Sequence, residues 1–171
     1  MNPTIRQKIA EGDICLSELG KLTAQSHHDE FLYRLYASTR LDEIKAWRWD
    51  DTTVGHFLRL QWYAQSRHYA NTWPDTEHYI ITYDNQLSGR LMTSCTEHEI
   101  LLIDISILPE YQNQGIGTAL IEELQTLART SERVIQLTVN RTSSAVRLYR
   151  RLGFVIRRED ELHYQIQWTS L

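Results

Sequence analysis

Residues 100–130 read ILLIDISILPEYQNQGIGTALIEELQTLART. An apolar run from Ile100 to Leu108 stops at Pro109, a short loop Gln112-Asn113-Gln114-Gly115-Ile116-Gly117 follows, and an amphipathic stretch opens directly from it. The pattern predicts strand, glycine loop and helix in immediate succession. The first amides of a helix have no intrahelical acceptor and carry partial positive charge, so an anion settles there. Glycine lets the backbone approach that anion with no Cβ in the way. The expected ligand therefore carries phosphate.

The loop lacks the Lys-Ser/Thr pair that closes a P-loop, which argues against ATP with magnesium. It also fails the dinucleotide fingerprint, because Leu120 stands where a third glycine or alanine belongs and no acidic residue lies in the ribose register about 20 residues on. What remains is Q-x-x-G-x-G between a strand and a helix. On its own this hexapeptide also reads as a tight turn feeding a helix. A second segment changes the balance: Ala145-Val146-Arg147-Leu148-Tyr149-Arg150-Arg151-Leu152-Gly153-Phe154. The two segments, in this order and separated by one helix and one strand, resemble the pyrophosphate loop and the A-x-x-L-Y-x-x-L-G-F signature of the GCN5-related N-acetyltransferases (GNAT). The resemblance runs from the hairpin near His78 to the end of the chain. It implies an α/β fold with a mixed, mainly antiparallel sheet splayed into a V and flanked by helices, acetyl-CoA as co-substrate, and transfer to a primary amine of a small molecule or peptide.

Length and composition fit one soluble globular domain: 171 residues, 42% apolar and 23% charged. Within it, residues 1–25 read as an arm and a first strand, 26–75 as acceptor-side helices and 76–171 as the cofactor-binding core. A net charge of −4 and the absence of a basic tract argue against nucleic acid. No apolar run is long enough for a membrane span, and the first residues have no signal-peptide core, so a cytoplasmic enzyme is expected. Cys15 and Cys95 are expected to be free, buried thiols. His27-His28 and His56 lack ligand spacing with acidic partners, so no metal is expected.

Along the chain, Ile5 to Ala10 suggests a helical arm, and Ile14, Leu16, Leu19 and Leu22 a short strand, with the first family strand placed near 21–25. Ser26 is expected to cap a helix ending near Thr39, a short helix to follow from Asp42 to Trp47, and Thr53 to cap one running to about His68. His78–Tyr83 and Leu87–Thr96 alternate as strands around an Asp84-Asn85 turn, and Glu97-His98-Glu99 reads as a second turn. Leu120, Ile121, Leu124, Leu127 and Ala128 should face inward from the helix after the loop, with Gln125 outside. Val134–Val139 is a strand, Ser143 or Ser144 caps a helix that Gly153 ends, and a hairpin closes the chain.

The resemblance assigns the pyrophosphate to the backbone of Gln114, Gly115, Ile116, Gly117 and Thr118, with Gln112 and Asn113 at the rim. It assigns the pantetheine to Ile105, Ser106 and Ile107, with an amide near Ile107 toward the thioester oxygen. Tyr149 is the expected general acid. A thiolate pKa of about 8.5 lies close enough to a tyrosine at about 10 for useful donation. Asp104 is the first candidate for general base: simple alternation places it on one face with Leu102 and Ser106. It reads equally as a structural carboxylate paired with arginine or backbone, and Glu99 and His98 are weaker candidates as turn residues. The chain departs from the family pattern twice. Leu101 stands where histone-acetylating relatives carry glutamate, and Ser143 and Thr142 stand where an asparagine usually contacts the cofactor, so Ser143 is the expected replacement. These departures keep open a second reading, a non-catalytic acyl-CoA-binding module. Arg147, Arg150 and Arg151 read either as a solvated face or as contacts to the 3′-phosphate. The acceptor pocket is expected from Arg40, Trp47, Trp49, Gln61, Tyr63, His68 and Tyr69, and the runs YASTR and QWYAQSRHY stand out without an assigned role. A homodimer through the closing hairpin is left open.

Overall fold

A computed structural model describes residues 6–9, 12–18 and 28–170. Its elements are β1 (Arg6–Ile9), β2 (Gly12–Glu18), α1 (Asp29–Ser38), α2 (Leu41–Lys45), α3 (Asp51–Thr72), β3 (Glu77–Tyr83), β4 (Gln86–Cys95), β5 (Glu99–Ile107), α4 (Ile116–Thr130), β6 (Val134–Asn140), α5 (Ala145–Arg151), β7 (Val155–Glu159) and β8 (His163–Trp168). The strands form one sheet in the order β1-β2-β3-β4-β5-β6-β8-β7. All neighbours are antiparallel except β5 and β6, the mixed sheet that the resemblance implies.

The β5–β6 pair closes only at its base, from Glu99 opposite Val134 to Leu102 opposite Leu137. Beyond that, β5 continues with β4 and β6 with β8, so the sheet opens into a V. At the closed end Gln136 Nε2 donates to Glu99 Oε2 at 2.8 Å. One face of the sheet packs Ile100, Leu102, Ile135 and Leu137 under Leu120, Ile121 and Leu124 of α4. The other packs Ile80 and Leu108 against Phe31, Leu32, Leu35 and Trp62 of α1 and α3. Removing such apolar area from water is the main favourable term, at about 25 cal/mol per Å².

The Asp84-Asn85 turn has both residues at positive φ (48° and 62°), the backbone a two-residue hairpin needs. Gly89 lies where β4 crosses β5, and a Cβ there would stand 2.4 Å from the Ser106 carbonyl oxygen.

Several local expectations are corrected. The helical arm is instead strand β1, whose backbone pairs with β2 while β2 adds to β3. Sheet bonding overrides the helical tendency of so short a segment, which is marginal alone. Ser26 and the strand placed at 21–25 lie outside the described residues; the N-cap of α1 is His28, with no side-chain cap. Asp50, not Thr53, caps α3 by accepting from the Thr53 amide at 3.0 Å, and α3 runs on to Thr72. Glu99 begins β5 rather than sitting in a turn. Gln125 is buried and Leu127 exposed, because the Gln125 amide donates to the Leu152 carbonyl at 2.7 Å and ties α4 to the end of α5. Cys95 is exposed at the end of β4, and the Cys15 side chain lies outside the described residues.

Candidate active site

The site begins with an irregularity in β5. Thr93 on β4 faces Leu102, but the next residue back, Met92, faces Asp104. Ile103 is the extra residue of a β-bulge, and a bulge shifts the side-chain phase of the strand. The expectation from simple alternation is therefore corrected: Leu102 and Asp104 point to opposite faces. Asp104 and Ser106 turn toward α1 and α3, whereas Ile105 and Ile107 turn toward α4. Two clefts result, one on each side of the open V.

The cleft on the α4 side has a volume of about 630 Å³ and runs from Ile105 and Ile107 to the glycine loop. Asn113, Gly115, Gly117 and Thr118 line it, as do Arg147 and Arg151 from α5. Gly115 sits at the N-cap of α4 with φ +85°, and a Cβ added to it would meet nothing within 4 Å. Its requirement is conformational, and the space above it is open. The Ala119 amide makes the first helical bond, to Gly115 at 3.0 Å. Among the described residues, the amides of 114–118 donate to no protein group. Side chains brace the loop from behind: Gln112 Nε2 donates to the Ile107 carbonyl and Gln114 Nε2 to the Glu110 carbonyl, each at 2.8 Å. Arg151 Nη2 reaches Thr118 Oγ1 at 3.1 Å, bringing a guanidinium to the helix N-terminus. This donor set of free amides, a helix end and two arginines fits an anion with several oxygens.

The cleft on the other side, about 470 Å³, is lined by Tyr36 from α1, Arg40 from the turn after it, Tyr69 from α3, and Asp104 and Ser106 from β5. Arg90 crosses from β4 and places Nε and Nη2 at 2.9 and 2.7 Å from one oxygen, Asp104 Oδ2. Ser106 Oγ donates to the same carboxylate at 3.1 Å. Asp104 thus is the arginine-paired carboxylate of the second sequence reading, and it is also in the cleft. Ser143 borders this cleft, its Oγ accepting from the Ala145 amide at 3.2 Å, while Ser144 borders the other.

Tyr149 joins the two. It lines both clefts, together with Ile105 and Ala145, and is only 4% exposed. The turn that ends α5 holds it. Phe154 N–H donates to the Tyr149 carbonyl at 3.0 Å and Gly153 N–H to the Arg150 carbonyl at 3.1 Å, with Gly153 at φ +84°. These are the two bonds of a Schellman motif. Its usual apolar contact is the Tyr149–Phe154 ring pair, edge-on at 5.5 Å between centroids. Burial, with the Asp104 charge adding to it, pushes the Tyr149 hydroxyl up to about 12. Burial likewise raises Tyr69, and it lowers His78 on β3 to about 4, with Arg90 adding to the effect.

Residues 74–156 match the family model described as an acetyltransferase (GNAT) domain. Over that stretch the chain is similar to a GNAT acetyltransferase domain. The [ribosomal protein bS18]-alanine N-acetyltransferase of Escherichia coli K12 is 28% identical over 109 residues, 57% of this chain and 74% of its own. PaiA N-acetyltransferase of Thermoplasma acidophilum, solved in complex with coenzyme A, has the same fold: TM-score 0.65 over 92% of this chain and 99% of its own, at 17% identity. Campylobacter jejuni N-acetyltransferase PseH, solved with acetyl coenzyme A, aligns at TM-score 0.56 over 92% and 99%, at 14% identity. No helix among the described residues is long and apolar enough to cross a membrane.

Of the acceptor-side residues expected from sequence, Arg40 and Tyr69 line the cleft. Trp47 and Trp49 instead stack edge-on with Phe57 in a surface cluster, and Gln61, Tyr63 and His68 are exposed. Sequence reading missed Arg90, whose role needs its cross-strand neighbour to be visible. It also missed Tyr36 on α1, and Gln65, which shares a face of α3 with Tyr69 at i, i+4 spacing. Arg147 and Arg151 border the loop-side cleft, whereas Arg150 lies over the Tyr164 ring at 5.9 Å.

Proposed function

We propose that this chain is an N-acetyltransferase that moves the acetyl group of acetyl-CoA directly to a primary amine. One observation carries the reading: a buried tyrosine forms the shared wall of two clefts, one ending on free helix amides and the other on a carboxylate. Acetyl-CoA supplies an activated acetyl thioester. The amides of 114–118, with Arg147 and Arg151 beside them, bind the phosphates. Ile105 and Ile107 face the pantetheine. Because the Leu108 amide goes to Ser88 on β4, ladder alternation turns the amides of Ile105 and Ile107 toward the open V. The Ile107 amide is then the donor to the thioester oxygen as negative charge builds there.

In the other cleft, Arg90 holds the Asp104 carboxylate through Oδ2. Oδ1 has the Ser106 hydroxyl and accepts a hydrogen bond from the incoming amine. The new C–N bond forms as C–S breaks; the nitrogen gives its proton to solvent, and the sulfur leaves as a thiolate that is protonated from solvent after release. Tyr149 acts at the sulfur. With its hydroxyl near 12, full transfer to a thiolate at about 8.5 is uphill by about 3.5 units, or about 5 kcal/mol. Tyr149 therefore keeps its proton and contributes a charge-assisted hydrogen bond.

The test is release of free CoA thiol against a broad panel of primary amines, with acetyl-CoA affinity measured in parallel. Amine-dependent release is expected. Tight acetyl-CoA binding with no release across the panel overturns acetyl transfer in favour of a binding module. No acetyl-CoA binding overturns both readings.

A further inference from the structure

We infer that His163 is the general base that takes the proton from the acceptor's ammonium group. The inference rests on the acetyl transfer proposed above and supplies the route by which the nitrogen's proton reaches solvent.

Strand register puts His163 on the face where the acceptor binds. Ile135, Leu137 and Val139 of β6 and Ile166 and Trp168 of β8 face the core that α4 covers. Successive side chains on a strand alternate. Thr138 and Asn140 of β6, and His163 opposite Asn140, therefore lie on the other face, the one that Asp104 and Ser106 occupy on β5. His163 borders the acceptor cleft from the far arm of the V.

The turn before it is braced. Asp160 Oδ1 accepts from the amides of Leu162 and His163 at 2.8 and 2.7 Å, and the Asp160 amide donates to the His163 carbonyl at 3.0 Å. Arg141 ties this turn to the end of β6: its amide donates to the Leu162 carbonyl at 2.9 Å and its Nη1 to the Asp160 carbonyl at 2.8 Å. The amides of Leu162 and His163 hold the Asp160 carboxyl below the usual carboxylate range, so it is ionised at neutral pH. His163 Nδ1 stands 3.6 Å from Asp160 Oδ1, an ion-pair distance that favours the protonated ring. Nε2 lies on the opposite side of the ring. A base oriented by a third group is the arrangement that proton abstraction needs. The His163 side chain is 43% exposed, so a proton taken up there passes to water.

The other titratable groups of the cleft are unsuited to the task. Asp104 has three of roughly four acceptor sites taken, by two Arg90 donors and the Ser106 hydroxyl, and the last orients the amine. Tyr36, Tyr69 and Tyr149 carry phenols, which hold their proton at neutral pH. Arg40 and Arg90 are donors alone. Arg158 of β7, paired with Gln165, adds a charge on the same face of the sheet. Imidazole is the side chain that takes and returns protons near neutrality.

One ammonium N–H bond breaks and its proton bonds to Nε2, directly or through one cleft water. The freed lone pair forms the C–N bond while the C–S pair leaves on sulfur as thiolate. Nε2 passes its proton to solvent, and the amide nitrogen sheds its second proton by the same route.

The experiment follows kcat/KM for thiol release from pH 6 to 9.5 in wild type, His163→Gln and His163→Asn. The acceptor is the fastest of a panel of the twenty L-α-amino acids, their α-carboxamides and the α,ω-diamines, and acetyl-CoA affinity is measured alongside. With a base on the enzyme, the reacting pair is neutral imidazole and ammonium. The wild-type profile then flattens above its acid limb and stays flat up to the amine's own titration. Without that base only the free amine reacts, and the profile rises tenfold per pH unit over the same range. The variants are expected to fall by about 10²-fold at pH 7, to close the deficit as pH rises, and to keep acetyl-CoA affinity. A loss equal at every pH, or a variant within threefold of wild type at pH 7, overturns the inference and leaves acetyl transfer standing. A wild-type profile that itself rises tenfold per unit up to the amine's titration also overturns it, whether or not the variants fold. If wild type acetylates nothing in the panel, the acetyl-transfer reading fails and this inference falls with it.

Discussion

Replacing Tyr149 by phenylalanine removes one oxygen and leaves the ring. The Tyr149–Phe154 contact at 5.5 Å and the two turn bonds around Gly153 involve ring and backbone, so both persist. The rate effect follows from the hydroxyl being near 12. Were Tyr149 a full proton donor, its loss would cost up to about 10⁴-fold. A retained hydrogen bond to a charged sulfur is worth about 1.5–3 kcal/mol, or roughly 10- to 150-fold in kcat. The variant should lose that factor in kcat, keep its acetyl-CoA affinity and keep its Tm at pH 7. The hydroxyl also has a signature in stability. In the folded state it holds its proton up to about 12, against about 10 in an unfolded chain. The folded state therefore binds more protons between these values, and stability falls as pH rises from 10 to 12, by order 2–3 kcal/mol. Tyr149→Phe should lose less stability over that interval. Thiol-release kinetics, single-turnover kinetics and urea unfolding at pH 9 and 11.5 measure these effects. A kcat within threefold of wild type would refute the catalytic placement of Tyr149. A fall beyond 10³-fold, or an alkaline limb below pH 10 that vanishes in the variant, would refute the argument that it keeps its proton.

The two loop glycines should behave differently. Gly115→Ala forces a side chain into φ +85° and should cost about 1–2 kcal/mol in urea unfolding. Gly117→Ala meets Leu148 and Ile107 at ordinary distances of 3.5 and 3.8 Å and should leave stability unchanged or slightly raised, while acetyl-CoA KM rises about tenfold or more if phosphate approaches that backbone. Gly89→Ala puts a Cβ against the Ser106 carbonyl and should destabilise by about 1–3 kcal/mol or more, displacing the strand that carries Asp104. His78, buried and neutral with its pKa near 4, contributes an acid limb. Its unfolded value is about 6.5, so the unfolded state binds more protons below that, and stability drops by order 3 kcal/mol between pH 6.5 and 4. Urea titrations of His78→Gln across that range should show a flatter limb; an unchanged limb would refute this assignment.

The glycine loop, the helix after it and the Tyr149 signature were legible from sequence because each depends on local chemistry. A positive φ, unpaired first-turn amides and a Schellman turn are properties of a few consecutive residues. The fold class followed from the order of such units. Four things were decided by long-range pairing. The bulge at Ile103 reverses which side of the sheet Asp104 and Ser106 face, and nothing in the run IDIS marks it, because a bulge exists only relative to β4. Arg90 meets Asp104 across two strands, 14 residues apart in sequence. The Tyr149 hydroxyl is raised by burial among elements far from it in the chain. Residues of YASTR and QWYAQSRHY come to line one cleft only when α1 and α3 pack beside β5. Sequence by itself determined where a helix opens on unpaired amides and which tyrosine lies in its companion signature, since periodicity and backbone geometry act over one or two turns. Tertiary structure alone decided which charges meet in the acceptor cleft, since electrostatic pairing depends on distance in space and on the water that packing removes.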